Sequence, residues 1–229
     1  AQLVAKYRIG GLAEWTIGME EQSATDGIRA TALTIAPDAV LLSLSSDQLA
    51  IKYGSLVNLT GLATSKDKTV LPEFPVTLEF KGFDESTWRP LGKSITTETG
   101  SFTTSIYLAK SGKLRITSEG SWDRGAGLSS EILITVNPRL SITAPTSAKA
   151  GTAFKILVSA SPTTASTQVA LRRFDGKVWN TVVLAPLLST GTELSQTEPI
   201  RGVYTYQILV FDSADSTEST SAPFTVLVR

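Results

Sequence analysis

Residues 76–136 read VTLEFKGFDESTWRPLGKSITTETGSFTTSIYLAKSGKLRITSEGSWDRGAGLSSEILITV. Short alternating segments are separated by clusters of Gly, Ser, Thr and Asp, the pattern of successive half-buried strands and turns. A degenerate second copy runs from 169 to 228. The first copy opens Val76-Thr77-Leu78-Glu79-Phe80 and reaches Trp88 after a turn. The second opens Val169-Ala170-Leu171-Arg172-Arg173-Phe174 and reaches Trp179 after Asp175-Gly176. Both close on an apolar alternating strand, Ile132 to Val136 and Phe224 to Val228. A repeat on this scale fixes the architecture before any single motif does. It predicts an all-β chain of two tandem immunoglobulin-like β-sandwiches.

Working outward, Leu42 and Leu44 alternate with Ser43 and Ser45, Tyr53-Gly54-Ser55 is a turn, and Leu56 to Gly61 is a strand. Pro72 and Pro75 bracket an entry or edge segment. Seven or so short strands make a first sandwich of residues 40–137. Asn137-Pro138 is too short for a flexible linker, so the modules are expected to stack in a line with restricted bending. The second sandwich, residues 138–229, repeats the plan, with residues 185–200 less regular and able to hold an edge strand or insertion.

Residues 1–39 differ. Leu12 to Gly18 is a short apolar run suited to a buried strand. Ser23, Thr25 and Asp26 are candidate N-caps for a helix carrying Ile28, Ala32, Leu33, Ile35 and Ala36, which Pro37 stops. This β–α segment is too small to bury a core alone. It docks on the first sandwich or belongs to something upstream.

Composition excludes much. The chain has 229 residues, with Lys+Arg 21 and Asp+Glu 21, so its formal net charge is zero. Nothing in that balance draws it to nucleic acid or an anionic membrane. It has no cysteine and no histidine, which removes disulfides, thiolate and imidazole metal ligands, and Ser-His-Asp or Cys-His catalysis. No run of apolar residues is long enough for a membrane span. Ala1 is followed by no charged and apolar signal-peptide regions and there is no initiator Met, so the chain reads as a mature secreted product or a piece of a longer one. Abundant Ser and Thr with strand-like repeats favour an extracellular or cell-surface setting. No cofactor and no metal is expected. Asp84-Glu85 and residues 212–218 lack the acidic spacing that wraps a calcium ion. Asn58-Leu59-Thr60 matches the glycosylation sequon, read here as chance within a strand.

Two resemblances carry further expectations. Residues 40–229 resemble the tandem Ig-like modules of bacterial secreted and surface proteins, through Val76-Thr77-Leu78, Trp88 with Leu91-Gly92, Gly100-Ser101-Phe102 and Ile134-Thr135-Val136. The second copy keeps Val169, Leu171, Trp179 and Tyr204 and has Gly202-Val203-Tyr204 in place of the Gly-Ser-Phe run. That fold hosts many roles. Residues 6–37, through Gly10-Gly11 to Trp15 and Gly18, resemble the last strand–helix unit of chitinase-like (family 18 type) glycoside hydrolase barrels, about an eighth of such a barrel. The resemblance implies that Trp15 floors a sugar subsite. The family's acid motif is absent; Asp212, Asp215 and Glu218 imitate its spacing from what reads as a solvated Ser/Thr-rich loop. The alternative for Trp15 is packing against the first sandwich.

Trp88 and Trp179 recur at equivalent places and are expected to pack in or cap the cores. Trp122, in a Gly-rich loop, has no tryptophan counterpart in the second copy and is the better candidate for an exposed contact. The substrate-binding candidates are therefore Trp15 and Trp122, with no catalytic residue. The expected function is a non-catalytic accessory region of an extracellular, glycan-degrading protein, spacing it or attaching it to polysaccharide or cell-wall glycan, with an upstream domain or partner protein. The alternative is a structural or adhesive surface stalk with no link to an enzyme.

Overall fold

The structure is a computed structural model and describes residues 21–35, 37–121, 123–164 and 166–229, with the backbone alone for 31–35. Helix α1 spans Gln22–Ile35. The expected caps Ser23, Thr25 and Asp26 lie inside its first turns. Glu21 takes the cap position instead: its carbonyl accepts the amides of Ala24 at 2.9 Å and Thr25 at 3.3 Å. The helix has ended by Pro37, as the constraint on the residue before a proline requires. Its side chains from Gln22 to Ala30 are exposed. The expected strand before it, with Trp15, lies outside the described residues.

The rest is all β, in two Ig-like sandwiches. The first has strands β1 (Val40–Ser46), β2 (Ala50–Lys52), β3 (Leu56–Ser65), β4 (Pro75–Gly82), β5 (Arg89–Ile95), β6 (Ser101–Tyr107), β7 (Gly112–Ser118), β8 (Gly127–Leu128) and β9 (Ile132–Asn137). One sheet is ordered β1-β3-β6 and the other β2-β9-β7-β4-β5, with β8 beside β7. Strict alternation turns Val57, Leu59 and Ala63 of β3, Phe80 of β4, Leu114 and Ile116 of β7 and Ile134 of β9 inward, where they form one closed core. Pro75 opens β4 where no ladder bond to β7 is yet needed.

The second sandwich has β10 (Arg139–Thr143), β11 (Ser147–Ala148), β12 (Phe154–Ser161), β13 (Gln168–Phe174), β14 (Trp179–Pro186), β15 (Thr192–Gln196), β16 (Gly202–Val210), β17 (Ser219–Thr220) and β18 (Phe224–Val228). Its sheets are β10-β12-β15 and β11-β18-β16-β13-β14, with β17 beside β16. β15 is the edge strand hidden in the irregular stretch. A separate core gathers Phe154, Ile156, Leu171, Leu194, Ile208 and Val226.

Register places the two units residue on residue. Leu78 faces Ile116 as Leu171 faces Ile208. Leu114 faces Ile132 as Tyr206 faces Phe224. Both β4–β5 and β13–β14 carry a bulge at the same point, after Leu78 and after Leu171. The extra residues, Leu91 and Val182, both lean on their cores. In each unit an early short strand runs parallel to the last one, β2 to β9 and β11 to β18.

Candidate functional site

Among the described residues the densest polar constellation is the joint between the sandwiches. β9 ends at Asn137 and β10 starts at Arg139, so only Pro138 lies between them. Pro138 has no amide to satisfy and a fixed φ. The end of the first sandwich presents the β4–β5 turn and residues 110–111. The loop of residues 211–218, between β16 and β17, lies against it.

The Asp215 carbonyl accepts the Ser111 amide at 2.7 Å, and the Thr217 amide donates to the Val136 carbonyl at 3.0 Å. The Thr217 hydroxyl donates to the Asn137 side-chain oxygen. Ser111 is buried, and its hydroxyl accepts the Val136 amide at 2.8 Å. Lys110 Nζ gathers three carboxylates: Asp84 at 2.6 Å, Glu85 at 3.1 Å and Asp215 at 3.7 Å. Glu85 also accepts the Gly82 amide at 2.8 Å. The hydrogen bond to Asp84 raises the Lys110 ammonium above its ordinary value; burial opposes this and Glu85 adds to it. Asp215 Oδ1 is buried and accepts no hydrogen bond, so Lys110 is its stabilising charge. An unpaired buried carboxylate is costly.

The loop read as solvated from its composition is therefore a docked one, with Asp215 only 14% exposed. Asp84 and Glu85 converge on a cation, and that cation is a lysine ammonium. Among the described residues, no three Asp or Glu side chains are placed to hold a metal ion.

Beside the joint lies a cleft of about 940 Å³. Lys52 and Tyr53 of the first sandwich and Arg139, Leu140, Ile142 and Phe224 of the second line it, with residues 219–223. Its charged side chains are both cationic. Both units contribute walls, so the cleft exists only while the joint holds.

Trp88 and Trp179 do not enter the cores. Trp88 is half-buried on the outer face of its sheet, with the Arg115 guanidinium 4.0 Å and Lys81 Nζ 4.9 Å from its ring centroid. Arg115 is tied in turn to Glu79 at 2.7 Å. Trp179 is half-buried against Phe174, ring centroids 5.1 Å apart. Both lie beyond the bulge, where the inward–outward phase of the strand has shifted. Cations over the Trp88 ring occupy the face a sugar would need. The side-chain amide of Asn58 is held by Asp47 at 2.8 Å and Ser105 at 2.7 Å. Trp15 and Trp122 lie outside the described residues. Around the latter, Asp123 accepts the Ser121 hydroxyl at 2.7 Å and pairs with Arg124 at 3.7 Å.

No family model and no curated protein matches the chain. It is similar in structure to a marsupial T cell receptor (TM-score 0.30, 14% identity, 81% of this chain and 71% of that one). It is similar to the Yersinia pseudotuberculosis adhesin InvE (0.40, 9%, 81% and 58%) and to a DUF4785 family protein of Legionella pneumophila (0.40, 11%, 80% and 55%). The chain thus spans between half and two thirds of either bacterial protein. Superpositions this loose carry no argument about function, and the Ig-like architecture rests on the sheets themselves.

Proposed function

We propose that this chain is a non-catalytic accessory region of an extracellular protein: two Ig-like units, residues 40–137 and 138–229, acting as a short stiff spacer. The observation that carries this is the joint. A one-residue link, two main-chain hydrogen bonds and the shared Lys110 ammonium hold one unit on the other. A spacer needs a fixed orientation, and interfaces of this kind restrict the motion that linked domains otherwise have. The exposure of the α1 side chains from Gln22 to Ala30 is compatible with a segment that serves something upstream. In this reading residues 1–39 are the end of a glycan-degrading catalytic part. Trp15 touches its sugar site, and Trp122 meets polysaccharide or cell-wall glycan.

Residual dipolar couplings test it. Fitted separately, the two units are expected to return one alignment tensor. Two different tensors would mean independent units and would remove the spacer reading.

A further inference from the structure

The loop that docks at the joint has a twin. Residues 119–126 link β7 to β8, and residues 211–218 link β16 to β17. The ladders Ser118–Gly127 and Val210–Ser219 bracket them, so the loops have equal length. Asp123 then stands where Asp215 stands. Each loop closes with the same bond, Ser121 N to Arg124 O and Ser213 N to Ser216 O, both 2.8 Å. Each latches onto the chain entering its own sandwich. Gly125 N donates to Asp38 O at 2.8 Å, and Thr217 N to Val136 O at 3.0 Å. The latch is a property of the module type.

The receiving surface also has a twin. Register makes Val203 the counterpart of Ser111, through Gly112–Ile134 and Tyr204–Val226. Ser111 is 1% exposed and gives its amide to Asp215, whereas Val203 is 68% exposed. Leu227, opposite Val203, gives its amide to Thr146, so the Val203 amide faces away from β18, as the Ser111 amide faces away from β9. Ile200 is 70% and Val178 56% exposed on the same end. The counterpart of Lys110 is Gly202, and the neighbouring Arg201 is exposed. The rivals for that cation are missing. The β13–β14 turn is shorter than the β4–β5 turn, and the carboxylate of Asp175 is taken up within it by the amides of Lys177 at 2.8 Å and Val178 at 2.9 Å. This end is apolar and cationic, complementary to an aspartate-bearing loop.

We propose that the outer end of the second sandwich, centred on Ile200 and Val203, is a docking face for the aspartate loop of a further sandwich of this kind. It repeats the joint between the first two, with Arg201 serving as Lys110 does. This rests on the stiff-spacer reading and extends it to an array.

The test is a protein in which a second copy of residues 138–229 follows Arg229 directly. Exchange of the Val203 amide is expected to slow at least about tenfold, and the appended unit to share the alignment tensor of its neighbour. Ile200→Asp in that protein is expected to restore fast exchange while leaving the first joint as it was. An appended unit that is folded but independently aligned, with Val203 exchange unchanged, overturns the inference alone. Independent alignment of the first two units overturns it together with the spacer reading.

Discussion

Arg173 in the second sandwich stands where Phe80 stands in the first. Phe80 faces Leu114 and Arg173 faces Tyr206 at matching rungs. Phe80 is fully buried and caps its core with a ring. Arg173 instead reaches the carboxylate of Glu198 with bonds of 2.8 and 3.0 Å. Glu198 is 2% exposed and also accepts the Tyr206 hydroxyl at 2.7 Å and the Gln196 side chain at 2.8 Å. One core ends in an aromatic ring under the Arg89 guanidinium, 4.8 Å from its centroid, and the other in a satisfied polar network.

That network makes the second sandwich sensitive to acid. Burial works to raise the Glu198 carboxyl, but the bonds from Tyr206, Gln196 and Arg173 outweigh it and hold the group below its ordinary value. A carboxyl depressed in the fold contributes stability that is present above its unfolded pKa, about 4.3. That stability is lost as pH falls through the folded value. Urea unfolding followed at Tyr206 and at Leu114 is expected to show the second sandwich losing stability first as the pH is lowered. Glu198→Gln is expected to cost about 2 kcal/mol at neutral pH and to flatten that dependence.

Lys110→Met is expected to loosen the joint without unfolding either unit. It leaves Asp84, Glu85 and Asp215 facing one another, with Asp215 Oδ1 buried and no cation beside it. The loss of joint stability is about 1–2 kcal/mol. Nitrogen-15 relaxation is expected to report two correlation times in place of one. Asp215→Asn, which keeps the main-chain bonds, is expected to do less.

Gly61→Ala tests how tightly the first core closes over β3. A Cβ at Gly61 would come within 2.0–2.9 Å of the Phe102 ring, which lies across the backbone from the neighbouring strand. The ring must move, at a cost of about 2–3 kcal/mol. Gly92→Ala meets nothing within 4 Å and serves as the control, expected to be within about 0.5 kcal/mol of the unsubstituted chain. Denaturant midpoints of the pair decide the matter.

Glycan binding separates the tryptophans. In pull-down on insoluble chitin or peptidoglycan, Trp122→Ala is expected to weaken retention about tenfold, equivalent to ~1.4 kcal/mol. Trp88→Ala is expected to leave it unchanged, because Arg115 and Lys81 already cover its ring. Unchanged retention with Trp122→Ala takes that residue out of the account.

The alternation in β3, β7 and β12 is legible in the sequence because one face of each is apolar and the period is two. The equivalence of Trp88 and Trp179 is legible for the same reason. Their place outside the cores is not, since the bulges at Leu91 and Val182 reverse the phase and nothing local announces a bulge. β15 is legible only as an edge strand or an insertion somewhere in residues 185–200, because Thr192 and Leu194 alone turn inward. Asp215 sits in a run whose composition is that of an exposed loop; what buries it is another sandwich, far away in sequence. The start of α1 is hidden in the sequence by three good capping residues, Ser23, Thr25 and Asp26, that lie inside its first turns while the Glu21 carbonyl supplies the first bonds.

The parallel pairing of β2 with β9, and of β11 with β18, bears on tension. A pull along the chain enters the first sandwich near Asp38 and leaves it at Asn137. Parallel strands near opposite chain ends are then sheared past each other. Thr135 N to Leu49 O and Tyr53 N to Asn137 O, both 2.9 Å, are loaded together instead of one at a time. In the second sandwich Leu227 N to Thr146 O, Arg229 N to Ala148 O and Ala150 N to Arg229 O are stressed in the same way. Resistance to force follows the rate of unfolding rather than its equilibrium. Each unit thus has a mechanical clamp at the end of its last strand, where load leaves it.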